Sequence, residues 1–274
     1  MQNDTLYIDG GGSSLKVFRK GEDGKLLELC RKEGNFNYQS GCRDALLQAL
    51  GEMLLRYPAR HAVIGLAGLI TPEETASLQK ELHVRTALPT ETLRVMSDLE
   101  FCFELHFPDG NGMLAILGTG SVFAAKVTGR LVKVGGYGRL LGDPGSGFSI
   151  GVRAARSFLR LKDGFFKDAQ FESALGEFFT TREHAINAIY KQGFPVQSLA
   201  PVVIGLAECE NRTARQLLFS ESGQVLAHIR LLVSKLPDAL PLPIKLCGGL
   251  VETPNFYQRL LHKQIEDARL NILI

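Results

Sequence analysis

The chain of 274 residues is 45% hydrophobic and 22% charged, with a formal net charge of +2. That composition supports a real core, in one large domain or two of ordinary size. A charge this near zero does not suggest nucleic acid or an anionic membrane as the main partner, and no stretch approaches transmembrane length.

The opening MQNDTLYIDG has no apolar signal region, so a cytoplasmic location is expected. Five scattered cysteines, Cys30, Cys42, Cys102, Cys209 and Cys247, suit buried thiols in a reducing compartment better than a disulfide framework. None lies in C-x-C or C-x-x-C, and the histidines show no H-x-x-x-H pairing, which argues against structural zinc.

In chain order, residues 5–9 and 15–19 predict a first hairpin, and 25–30 a third strand. Between the hairpin strands lies Gly10-Gly11-Gly12-Ser13-Ser14, directly after Asp9. The loop Glu33-Gly34-Asn35-Phe36-Asn37-Tyr38 follows. It reads either as ordinary turn chemistry or as a sugar-contacting loop, since each Asn offers both a donor and an acceptor. Leu46, Leu50, Met53, Leu54 and Tyr57 recur at helical spacing over 43–57. A buried strand is expected at 62–66. Thr71-Pro72-Glu73-Glu74 then starts a helix with an N-cap, a first-position proline and a capping-box Glu. That capping role outweighs an acid/base pair for the two glutamates.

Residues 93–96 predict a strand, and Ser97-Asp98 follows it at once. A carboxylate at the C-terminal end of a strand in an α/β sheet sits where ligands bind. Asp98 is also a good helix N-cap, and the two roles are compatible.

The stretch 114–151 organises the rest. An apolar run breaks at Gly118-Thr119-Gly120-Ser121, resumes as VFAAKV, turns at Thr128-Gly129 and runs on as RLVKV. Two glycine clusters follow, Gly135-Gly136-Tyr137-Gly138 and Gly142-Asp143-Pro144-Gly145-Ser146-Gly147. Taken alone, G-T-G-S is an ordinary hairpin turn or an anion-binding nest of backbone N–H groups. The echo of the same strand–Gly-x-Gly-Ser–strand plan at Leu6–Phe18, about one domain's length upstream, favours a pair of turns that clamp one polyphosphate.

Helices are then expected over 146–162, 169–179, 182–191, 196–208 and 213–235. The basic outer face of the first, Arg153, Arg156 and Arg160, is expected to be solvated. Pro237 to Pro243 forms a rigid turn into a strand at 244–247, then Gly248-Gly249-Leu250, a helix over 255–266 and a last strand over 269–274. The paired glycines give a flat backbone surface suited to adenine or ribose, or simply a tight strand–helix connection.

These pieces together resemble the sugar kinase/Hsp70/actin ATPase superfamily, and most of all its N-acetylglucosamine kinase-like branch, grouped with the BadF/BadG activator ATPases. The resemblance covers about the first 265 residues. It rests on Asp9 to Ser14, Ser97-Asp98, Gly118 to Ser121, the Gly142 to Gly147 cluster and, more weakly, Gly248-Gly249. Pro144 stands where the family usually has Glu, and Ser97 where Asn is more usual. The family also usually continues past this point with a proline-bearing loop and a final helix.

The resemblance implies an α/β fold of two ribonuclease H-like domains, 1–100 and 101–274, the second with a helical insertion. ATP would lie in a cleft between them. It implies Asp9 on Mg²⁺, Gly10, Gly11, Gly12, Ser13, Ser14, Gly118, Thr119, Gly120 and Ser121 around the phosphates, and Gly248 and Gly249 at adenosine. Asp98 would be the catalytic base toward a sugar hydroxyl, with Asn35, Asn37, Asp98, Gly120 and Asp143 on the amino sugar. The activity implied is ATP-dependent phosphorylation of a small-molecule amino sugar, with no nucleic-acid or membrane partner, and the family leans toward a homodimer. The alternatives are a BadF/BadG-type activator ATPase, disfavoured because no cysteine lies between Cys102 and Cys209 to hold a cluster, and a catalytically silent nucleotide or sugar sensor.

Overall fold

A computed structural model describes residues 4–21, 25–86, 92–107, 110–237 and 241–273. The chain divides by compactness into Met1–Pro108 and Asp109–Ile274, called here unit 1 and unit 2.

Unit 1 begins with β1 (Thr5–Gly10), β2 (Ser14–Lys20) and β3 (Leu26–Glu33), an antiparallel meander. Helix α1 (Arg43–Arg56) leads to β4 (His61–Leu66), and α2 (Pro72–Thr86) to β5 (Leu93–Ser97). Both β4 and β5 run parallel to β1, giving the order β3-β2-β1-β4-β5. Alternation decides the faces. Leu6 and Ile8 of β1 point to α1 and α2 and meet Leu50 and Leu78 there. Tyr7 points the other way, with Val63 and Met96, toward Phe101 on α3 (Asp98–His106). Gly65 lets α3 lie flat on the sheet, since a Cβ there would come within 2.3 Å of the Phe101 ring.

Helix α2 starts as its sequence predicts. The Thr71 hydroxyl accepts from Glu74 N–H, and the Glu74 carboxylate accepts from the N–H groups of Ile70 and Thr71. Those backbone bonds, Ile70 first, hold the Glu74 carboxyl below its usual pKa. The start of α3 differs from expectation. Strand β5 runs on through Ser97, so Ser97 is the N-cap and Asp98 the first helical residue. The Ser97 side chain accepts from Glu100 N–H, and the Glu100 carboxylate accepts from Ser97 N–H, a full capping box.

Unit 2 repeats the plan. Strands β6 (Gly112–Leu117), β7 (Ser121–Val127) and β8 (Arg130–Gly135) form an antiparallel meander. The helical block follows: α4 (Gly147–Lys162), α5 (Ala169–Gly176), α6 (Arg182–Lys191), a short 3₁₀ turn, α7 (Leu199–Glu208) and α8 (Arg212–Ser234). The chain returns as β9 (Leu242–Cys247), parallel to β6, then α9 (Phe256–Asp267) and β10 (Ile272–Leu273), parallel to β9. The order β10-β9-β6-β7-β8 is that of unit 1 element for element. Phe123, Phe158, Phe171 and Tyr257 are fully buried in one core with Ile229 and Leu261. In the expected proline-rich turn, residues 238–240 lie outside the described residues.

Candidate functional site

In unit 1, strands β1, β4 and β5 run parallel, and their C-terminal ends come together at one edge. Gly10 pairs with Leu66, and Leu66 with Ser97. Asp9 and the glycine turn therefore sit two strands, about 10 Å, from Ser97 and Asp98. Both carboxylates are half-buried, and Asp98 Oδ1 accepts from Leu99 N–H at 2.8 Å.

The loop 33–38 is laced onto the first turn. Gly34 N–H donates to Ser13 O and Phe36 N–H to Gly11 O. In a trans peptide the carbonyl and the following N–H point opposite ways, so Gly12 N–H faces away from the loop. A Cβ on Gly12 would meet nothing within 4 Å.

The two candidate asparagines of that loop differ. Asn35 is spent at both ends: Oδ1 accepts from Asn37 N–H, and Nδ2 donates to the Ser40 carbonyl and hydroxyl. Asn37 Oδ1 accepts from the N–H groups of Gln39 and Ser40, closing a turn but leaving its amide N–H₂ as donors. Gly68 is open enough to seat the Asn37 side chain, where a Cβ would come within 2.5 Å of it.

In unit 2, the turn Gly118–Ser121 joins β6 and β7. Its first two carbonyls hang from the start of α4: Gly147 N–H donates to Gly118 O at 2.8 Å, and Phe148 N–H to Thr119 O at 3.1 Å. By the same trans geometry, with no cis bond among the described residues, the N–H groups of Thr119 and Gly120 point away from α4. Among the described residues neither has an acceptor. A Cβ on Gly118 would meet nothing within 4 Å. The result is a turn with two outward N–H donors, open at Gly118 and bounded at Gly120 by the Asp143 carboxylate, the form of an anion nest.

The cluster Gly142 to Gly147 lies under this turn and is held from several sides. Ser121 hydroxyl donates to Pro144 O at 2.8 Å, so Pro144 holds the turn through its carbonyl. Gly145 N–H donates to Glu221 Oε2 at 2.6 Å, and Tyr257 hydroxyl to Gly145 O at 3.1 Å. Glu221 is 1% exposed and ion-pairs with Arg153. Arg153 is therefore not merely solvated, as its place on the outer face of α4 suggested. Burial, with Glu221 nearby, pushes the Tyr257 hydroxyl well above its usual pKa, which keeps it a donor. Gly145 has φ +75°, and a Cβ there would strike Val225 at 2.2 Å. Glu221 and Tyr257 escaped the sequence reading, although a Glu on the apolar face of α8 was a visible anomaly.

Asp143 is 95% buried by its 5% exposure, in the left-handed region at φ +59°. Its carboxylate fills the space beside Gly120, where a Cβ would come within 2.6 Å of Oδ2, while Oδ1 has no partner among the described residues. Burial raises its pKa, against the pull of the Ser121 and Gly138 N–H groups and of Lys133. One strand over, Gly248 at φ +98° packs on the Leu117 carbonyl, and Gly249 has nothing within 4 Å of its Cβ position. The paired glycines thus flank the G-T-G-S turn at the same sheet edge.

Glycine at Gly12 and at Gly118 is demanded by neither φ nor packing among the described residues. For magnesium, one hard carboxylate such as Asp9 beside bound phosphates is the ordinary arrangement. Among the described residues no three His, Cys, Asp or Glu side chains form a dedicated metal cluster, and no helix is long and apolar enough to cross a membrane.

No protein-family model matches the chain. An N-acetylmuramic acid/N-acetylglucosamine kinase from Clostridium acetobutylicum is 27% identical over 206 residues, 71% of this chain and 67% of the relative. A glucosamine kinase from Vibrio cholerae is 25% identical over 231 residues, 80% and 76% of the two chains. A crystal structure of a candidate N-acetylglucosamine kinase from Porphyromonas gingivalis superposes with TM-score 0.75 at 21% identity, covering 98% of this chain and 93% of the other. The fold is that of the sugar kinases with two ribonuclease H-like units, the actin-like ATPase fold.

Proposed function

We propose that the protein is an ATP-dependent kinase that phosphorylates an amino sugar of the N-acetylglucosamine, glucosamine or N-acetylmuramic acid class. The observation that carries this reading is the Gly118–Ser121 turn, whose Thr119 and Gly120 N–H groups face away from α4 without an acceptor among the described residues and whose Gly118 leaves open space. The named activities of the curated relatives support the substrate class.

In this reading Gly10, Gly11, Gly12, Ser13 and Ser14 hold phosphate in unit 1, and Gly118, Thr119, Gly120 and Ser121 in unit 2. Gly248 and Gly249 take the adenosine. Asp98 accepts the proton of the attacking sugar hydroxyl, and its place at the start of a capped helix keeps it fixed at the sheet edge. Asp9 would hold Mg²⁺, which when bound neutralises charge on the phosphates. Asn37 is the better sugar contact of its loop, since Asn35 is consumed internally. Asp143 packs against Gly120, and its buried Oδ1 has no hydrogen-bond partner among the described residues, so it would reach the sugar only through movement of the loop.

The test is ADP release from ATP–Mg²⁺ with and without a panel of amino sugars, for the wild type and Asp98→Asn. Sugar-dependent release that the variant loses is the expected result. Steady release without sugar would replace the kinase with an ATPase. Sugar-dependent turnover intact in the variant would remove Asp98 from the mechanism.

A further inference from the structure

A second feature of unit 2 has no part in the proposed phosphoryl transfer. Helices α4 and α8 and the segment 166–168 enclose a groove of about 600 Å³, within the range of small-molecule sites. Four of its lining residues, Arg156, Arg160, Lys167 and Arg212, are cationic and exposed. Among the described residues none of the four has a carboxylate partner, and Arg160 only stacks on Phe165 at 4.8 Å.

The carboxylates nearby are already committed. Asp163 pairs with Arg182, Glu172 with Lys162, Glu210 with Arg215 and Glu221 with Arg153. Asp168 caps α5 through Phe171 N–H and accepts from Asn211 and Thr213. Burial pushes its pKa up, but those hydrogen bonds outweigh the burial and hold it below the usual value. The groove therefore keeps an excess of positive charge in a chain whose net charge is only +2.

Like charges at Arg156 and Arg160, four apart on one helix face, repel and cost stability unless an anion joins them. The first turn of α8, where Arg212 and Thr213 sit, adds the partial positive end of a 23-residue helix. Leu217 and Phe166 supply an apolar wall. Arg160 lies thirteen residues along α4 from Gly147, about 20 Å from the G-T-G-S turn at 1.5 Å per residue.

We propose that this groove binds the phosphate group of a small phosphorylated metabolite, at a site separate from the G-T-G-S turn. Guanidinium forks at Arg156 and Arg212 take the phosphate oxygens, and the wall of Phe166 and Leu217 takes the carbon skeleton.

The test is thermal unfolding of the full chain with inorganic phosphate and with glucosamine 6-phosphate, each against chloride at matched ionic strength. It is run on the wild type, on Arg156→Glu/Arg212→Glu, and on Gly118→Val, which blocks the phosphate turn. At ten times Kd the sugar phosphate is expected to raise Tm by about 3–6 °C in the wild type and in Gly118→Val. The double variant, with its far-ultraviolet circular dichroism unchanged, is expected to lose the shift. Inorganic phosphate is expected to act in the same variants but more weakly. An inorganic phosphate shift that survives in the double variant, vanishes in a folded Gly118→Val, or is matched by chloride would overturn the proposal, as would no shift at all. Inorganic phosphate carries no sugar for the proposed kinase site, so its arm stands or falls apart from the kinase reading.

Discussion

Replacing Glu221 by Ala is the sharpest probe of how unit 2 shapes its phosphate turn. The residue is 1% exposed and its carboxylate accepts Gly145 N–H at 2.6 Å. Losing a hydrogen bond to a charged acceptor, with the buried N–H left unpaired, costs about 1.5–3 kcal/mol. The lost buried methylene adds about 0.8 kcal/mol. Arg153, whose side chain is 42% exposed, can turn its guanidinium to water, so stranding it adds little. The sum is about 3 kcal/mol, at the lower edge of what breaking a buried ion pair costs. For a unit of this size that lowers Tm by about 6–12 °C, readable by circular dichroism. KM for ATP should rise as well, because Pro144 O then holds the Ser121 hydroxyl less firmly. Arg153→Ala should be at least as damaging, since it leaves the Glu221 charge buried without its partner. A Tm within about 2 °C of wild type for both variants, with unchanged KM, would refute the idea that this pair braces the loop.

Asp98→Asn should lower kcat by about 10²–10⁴ with Tm unchanged, because the cap of α3 is Ser97; Ser97→Ala should instead cost about 1 kcal/mol of stability in urea unfolding. Gly118→Ala, whose new methyl meets no atom of the chain within 4 Å, should keep its Tm while KM for ATP rises. Gly145→Ala should unfold at markedly lower temperature, since its methyl strikes Val225 at 2.2 Å in a left-handed backbone; equal stability of the two glycine variants would contradict this division. For Asp143, burial raises the folded pKa above the unfolded one. Its contribution to stability is thus full below the usual carboxylate pKa and lost as pH rises through the raised folded value. Urea unfolding of wild type and Asp143→Asn across acid pH should show their difference changing only in that window and flat at higher pH.

Much of this architecture was legible because it is written locally. Short apolar runs ending in glycine turns marked the strands, and the two Gly-x-Gly-Ser turns betrayed the duplication that the matching sheet orders bear out. The capping box at Thr71–Glu74 could be read from four consecutive residues. The cap at α3 was misread by one position, although Ser97-x-x-Glu100 carries the same box. What stayed hidden is non-local. Glu221 lies 76 residues from Gly145 and Tyr257 lies 112 from it, and no periodicity reports which face of α8 meets which loop. Arg153 looked solvated for the same reason: its partner sits on another helix. The internal use of Asn35 depends on the fold of its own turn, which residue type alone could not separate from Asn37.

The late arrival of β9 has a consequence for how unit 2 is made. Strand β6 ends at Leu117, but its parallel neighbour begins only at Leu242, after the whole helical block. Until then Met113 to Ile116 form an unpaired, apolar edge, the kind of template that recruits other chains. The meander β6–β8 closes early through local contacts, whereas the parallel pairing waits on a long chain closure and is intrinsically slow. A nascent chain paused before Leu242 therefore presents a sticky border that the finished protein conceals.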